Sequence, residues 1–115
     1  MSYMLYILFL LLAGHALGDY PLQGQYMSDA KNRHTEHGKD VWWMVLTSHS
    51  LIQGAIVALI TSSIILGILE TICHWIIDFM KCDNKIDYKT DQFLHVICKF
   101  LWFYILVSCG AFQPT

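Results

Sequence analysis

Residues 41–80 read VWWMVLTSHSLIQGAIVALITSSIILGILETICHWIIDFM, and the parsing of this stretch decides the fold. It divides into two apolar runs, Val41 to Ile60 and Ser63 to Met80, with only Thr61 and Ser62 between them. Each run is close to the roughly 20 helical residues that cross a bilayer. So short a link makes the pair a tight antiparallel helical hairpin. Two further runs flank it: Met4 to Gly18, which Ser2, Tyr3 and Asp19 extend into the interface, and Phe93 to about Phe112. The expected fold is all-α, an integral membrane bundle of four transmembrane helices at about 4–18, 41–60, 63–80 and 93–112. It forms a single transmembrane domain over 1–115.

Composition agrees with this parsing. The chain is 56% hydrophobic and only 14% charged, where a soluble domain carries nearer a quarter charged residues. Its mean hydropathy is +0.46. A net charge of -2 supplies no basic field for nucleic acid and no acidic tail. Cys73, Cys82, Cys98 and Cys109 form no Cys-x-x-Cys pair, so they read as small apolar fillers. The opening run has the apolar core of a signal peptide and small residues at Ala16 and Gly18. No Lys or Arg precedes it, so it is expected to stay as a helix.

The seven basic residues set the orientation, because short loops rich in Lys and Arg stay in the cytoplasm. Lys31, Arg33 and Lys39 fall in the loop 20–40, and Lys81, Lys85 and Lys89 in the loop 81–92. Lys99 alone lies inside a run. Both termini and the Thr61-Ser62 turn are therefore expected outside, with Trp42 and Trp43 in the cytoplasmic aromatic belt. A short interfacial helix running to Met27 is expected after the first span.

Ionisable groups at membrane depth are costly and face a bundle interior or a wet cavity. Here they follow one spacing: His15 and Asp19, His49 and Gln53, His74 and Asp78, and Asp91 and His95 are each four apart. Residues at i and i+4 share a helical face, so each helix can present one polar pair inward. The first and third helices run toward the cytoplasm and the others away, and the order of His and Asp reverses with direction in three of the four. The expected site therefore has His15, His74, His95 and Gln53 in its deep layer. Asp19, Asp78, Asp91 and His49 form the shallow one.

Imidazole nitrogen and carboxylate oxygen on facing helices suit zinc, and also manganese or iron. The expected metal ligands are His15, Asp19, His49, His74, Asp78, Asp91 and His95, enough for one or two divalent ions. An open coordination position would acidify water to a nucleophile, and carboxylates such as Asp19 and Asp91 would then act as general bases. Gln23, Gln53, Gln92 and Lys99 are the expected substrate-binding residues. Glu70, a turn deeper than His74, is a reserve ligand or a proton relay, and Lys99 can pair with it. Plainer roles compete at several positions. Asp19 and Asp91 can be helix N-caps, and His49 and the His74–Asp78 pair can be interhelical hydrogen bonds. His34 and His37 belong to a polar loop and are expected outside the site.

Gly14-His15-Ala16-Leu17-Gly18-Asp19-Tyr20-Pro21-Leu22-Gln23, His49-Ser50-Leu51-Ile52-Gln53-Gly54, His74-Trp75-Ile76-Ile77-Asp78 and Asp91-Gln92-Phe93-Leu94-His95 carry a resemblance. Over nearly the whole chain the protein resembles an uncharacterised family of small bacterial and phage four-helix membrane proteins. Their pattern has His-x3-Asp, a His-Ser or His-Gly helix, His-x3-Asp followed by Lys (here Lys81) and Asp-Gln-x2-His. A second His often stands where this chain has Gln53. The resemblance implies a multi-pass protein of the bacterial inner membrane. In motif style it is similar to membrane-bound metal-dependent hydrolases.

These readings converge on an expected function, a metal-dependent hydrolase cleaving a phosphoester or ester of a lipid or lipid-linked substrate at the cytoplasmic leaflet. The alternative is a non-enzymatic membrane effector or a conduit for protons or divalent metal. The lipid bilayer is the expected partner, nucleic acid is not, and Gly54, Ala55, Ala58 and Gly67 offer small surfaces for a homo-oligomer.

Overall fold

The computed structural model describes residues 2–109. Its helices are α1 Ser2–Asp19, α2 Gly24–Ala30, α3 Trp42–Thr61, α4 Ile64–Cys82 and α5 Tyr88–Ser108, with no strand among the described residues. The expected end of the last helix near Phe112 lies outside those residues. Its start moves from Phe93 back to Tyr88, because Asp87 caps it by accepting a hydrogen bond from the Thr90 N–H at 2.8 Å. That bond holds the Asp87 carboxyl below its ordinary range. Asp91, the residue expected as the alternative cap, is thereby left free to face inward.

The hairpin forms as its two-residue link requires. Ser62 ends α3 in the left-handed region at φ 56°, and the Ser63 hydroxyl caps α4 by accepting from the Leu66 N–H at 3.2 Å. A Cβ on Gly54 would fall against Thr71 Oγ1 and the Gly67 carbonyl, and one on Gly67 against Ala58 and the Gly54 carbonyl. The two glycines therefore let α3 and α4 meet backbone to backbone. The small residues expected to serve association between copies are, apart from exposed Ala55, engaged within the chain. Around the bundle α1 packs on α3 and α5, and α4 packs on the same two helices from the opposite side. The short helix α2 lies against α3.

Three helices, α1, α3 and α5, are long and apolar enough to cross a membrane, not the four expected. The exception is α4, which has the length but carries Glu70, Asp78 and Lys81. Charged residues at the centre of a span cost about 2.5–3.5 kcal/mol each on insertion scales, so composition by itself does not mark α4 as a span.

Burial is inverted relative to a water-soluble bundle. Outside, Phe9, Leu59 and Ile64 are 67%, 82% and 71% exposed. Inside, His15, Asp19, His49, Gln53, Glu70, His74, Asp78, Asp91, His95 and Lys99 are all buried. These polar groups fill one half of the interior. The other half is closed by an apolar cluster of Ile7, Leu11, Val57, Leu66, Trp102 and Leu106.

Candidate metal centre

Each long helix delivers its polar pair to the same place. The end of α1 brings His15 and Asp19, the middle of α3 brings His49 and Gln53, the middle and end of α4 bring Glu70, His74 and Asp78, and the start of α5 brings Asp91 and His95. Because α1 and α4 end where α3 and α5 begin, the i, i+4 pairs of antiparallel neighbours meet at one depth.

The centre is built around Asp19 and Asp78. Asp19 Oδ1 lies 3.1 Å from His49 Nε2 and 3.4 Å from His74 Nε2, while Asp19 Oδ2 turns toward His15 Nε2 at 3.6 Å. Asp78 divides in the same way. Its Oδ2 lies 3.4 Å from His49 Nε2 and 3.6 Å from His74 Nε2, and its Oδ1 is 3.2 Å from His95 Nε2. Asp91 Oδ1 approaches His95 Nε2 at 3.3 Å and has no hydrogen-bond partner. The two central carboxylates thus stand between a His49–His74 side and a His15–His95–Asp91 side.

Three overlapping sets follow: Asp19, His49 and His74; His74, Asp78 and His95; and Asp19, Asp91 and His95. In each set the ligand atoms lie within 4.8 Å of one another and all are buried. Nitrogen and carboxylate donors at this density fit a divalent ion. The orphaned Asp91 oxygen fits one too, since a buried carboxylate oxygen without a donor is stabilised by a cation.

Neighbouring groups hold these ligands in place. Gln53 Nε2 donates to Asp19 Oδ1 at 2.8 Å, reaching it across Gly18, where a Cβ would collide with the Gln53 amide. Gln92 donates to Asp19 Oδ2 and Asp91 Oδ2, both at 3.0 Å, and its Oε1 lies 3.1 Å from His15 Nε2. His74 Nδ1 faces Glu70 Oε2 at 3.2 Å, and Glu70 Oε1 accepts from Lys99 Nζ at 2.9 Å and Trp102 Nε1 at 2.8 Å. A carboxylate behind the distal nitrogen fixes the tautomer and orientation of a ligating histidine.

Above the carboxylates a cavity of about 390 Å³ opens, lined by Asp19, Asp78 and Asp91 below and by Gln23, Gln92, Lys31, Lys81, Tyr20 and Tyr88 around it. The Tyr20 and Tyr88 hydroxyls bond to one another at its rim, and this bond pushes the Tyr20 pKa up to about 12. Of the residues expected to bind substrate, Gln23 and Gln92 line the cavity. Gln53 supports Asp19 from below, and Lys99 lies a turn deeper, paired with Glu70.

Sequence reasoning missed Lys31, which directly follows α2 and is 2% exposed. Its Nζ donates to Asp78 Oδ2 at 2.7 Å and to Gln23 Oε1. In sequence it is one basic loop residue among three, and nothing in the local pattern marks it for burial. His34 sits apart, 2.9 Å from Asp83 in an exposed cluster with Arg33. His37 packs on Tyr26.

Over residues 7–113 the chain matches the family described as Protein of unknown function (DUF3307). No curated protein and no solved structure matches it.

Proposed function

The chain belongs to that family, and we propose that it is a membrane-embedded, divalent-metal-dependent hydrolase. The observation that carries this reading is the convergence of three overlapping, buried His/Asp ligand sets from four helices at one end of the bundle. Zinc would fit the donor set best, with manganese and iron as alternatives, and the three sets would hold one or two ions. A bound ion would supply the Lewis acidity that makes water a nucleophile near neutral pH.

Asp91 is the better placed general base of the two carboxylates expected. Its Oδ1 is unpartnered and stays free to take a proton when metal is held by the two sets that lack Asp91, whereas His49, Gln53 and Gln92 already engage both oxygens of Asp19. In the reaction the water oxygen bonds to phosphorus or acyl carbon while its proton passes to Asp91. The ester bond to the leaving alcohol breaks, and Asp91 returns the proton to the departing alkoxide oxygen.

The membrane part of the proposal includes α4 as a fourth span. Its Glu70, His74 and Asp78 are all buried against the other helices, so the face left to lipid is apolar. By the positive-inside rule the site end faces the cytoplasm, which in a bacterium makes this a multi-pass inner-membrane protein with both termini outside. The substrate is then a phosphoester or ester of a lipid or lipid-linked molecule reached at the cytoplasmic leaflet.

A conduit for protons or metal would need polar groups through the full thickness. The apolar cluster from Ile7 to Leu106 that closes the far half disfavours it. A non-enzymatic effector is favoured by one observation, that Lys31 and Lys99 already neutralise Asp78 and Glu70 without a metal. Metal content decides between them. Protein purified in mild detergent should hold one or two ions per chain, and folded material with less than about 0.2 per chain would sink the hydrolase reading.

A further inference from the structure

The cavity above the carboxylates discriminates between the two kinds of ester. Its lining residues include no Ala, Val, Leu, Ile, Met or Phe. An acyl ester of a lipid carries an alkyl chain directly on the reacting carbonyl carbon and requires an apolar wall beside the ions. A phosphoester presents charged oxygens instead, which require cations and hydrogen-bond donors. The walls supply those: Lys31 and Lys81 line the cavity, with the Gln23 amide and the tyrosine hydroxyls at the rim.

Lys31 is the decisive group. An ammonium has three N–H donors, and Asp78 and Gln23 take two of those on Lys31, a residue that lines the cavity. Gln23 is itself tied down, its Nε2 donating to the Asp19 carbonyl at 3.0 Å. Once a divalent ion offsets the two charges of Asp19 and Asp78, the chamber holds two lysines, Lys31 and Lys81, against the single carboxylate of Asp91. We propose that this chamber binds a phosphate group, with Lys31 as the residue that holds it, so that the substrate is a phosphoester. The inference rests on the hydrolase reading above.

The test uses metal-loaded protein in a maltoside detergent, titrated calorimetrically with inorganic phosphate. Wild type should bind it, Lys31→Arg should bind within about threefold of wild type, and Lys31→Met should bind at least about tenfold more weakly, the loss of one charge-assisted hydrogen bond. In nanodiscs, phosphatidic acid should compete with phosphate while diacylglycerol of the same chains should not. Competition by phosphatidic acid identifies a lipid head group as the source, and binding of free phosphate alone identifies a soluble one. Metal content on the same samples separates the two readings. Wild type without metal sinks the hydrolase reading, whereas metal retained with unchanged phosphate affinity in Lys31→Met, or diacylglycerol competing as well as phosphatidic acid, overturns only the phosphate assignment. If Lys31→Met does not insert, Lys31→Gln, which keeps a polar end without the charge, takes its place and the same outcomes decide.

Discussion

His49 and His74 turn their Nε2 atoms toward one another at 3.1 Å from the two arms of the α3–α4 hairpin. His74 Nδ1 faces Glu70, and the Nε2 of that ring points at Asp19 and Asp78; with its proton on Nδ1 the ring would offer Nε2 to a cation. Electron-rich atoms converging on one point are what a cation stabilises.

His74→Ala and Asp78→Ala should each remove most bound metal, and the double variant should lose little more, because ligands of one centre fail as a unit. His74→Cys should keep part of the zinc, since thiolate replaces imidazole. His34→Ala and His37→Ala should leave metal content unchanged. Mild, additive losses of thermal stability with no change in metal would instead mark an interhelical hydrogen-bond network.

Glu70→Gln keeps the shape of the side chain but weakens its hold on the His74 proton. Metal affinity should fall about 10- to 100-fold with insertion and helix content intact. An unchanged affinity would show that Glu70 serves only to pair with Lys99.

Gly67→Ala places a methyl group against the Gly54 carbonyl and Ala58 and should destabilise the bundle by about 1–3 kcal/mol through overpacking. Reversible unfolding in mixed detergent micelles would read this. Ala55→Leu, at an exposed position, should change stability far less.

Accessibility tags should report both termini outside and the 28–39 loop in the cytoplasm. The reverse result would put the site at the outer leaflet and remove the cytoplasmic substrate.

In the loops Arg33 donates to Asp83 at 3.0 and 2.7 Å, and this pairing holds the Asp83 carboxyl below its ordinary range. A lowered carboxyl favours the folded loop at pH values above its unfolded pKa, and the contribution disappears as pH falls through the folded value. Carbon-13 titration of the Asp83 carboxyl should therefore show a midpoint below the usual range in wild type and an upward shift in Arg33→Ala. Coincident midpoints would mean that the pair does not persist in solution.

Local sequence was enough for everything that repeats along one helix. Four apolar runs, a two-residue link between the second and third, and the i, i+4 recurrence of His with Asp all follow from helical geometry, which depends only on neighbours in the chain. Tertiary structure decided what depends on distant partners. Lys31 meets Asp78 across 47 positions, Lys99 meets Glu70 across 29, and Gln92 reaches Asp19 across 73. A buried charge is tolerated only where a partner arrives from another element, and hydropathy along one helix carries no information about that arrival. For this reason the composition of α4 does not mark it as a span, although the other helices enclose its Glu70 and Asp78.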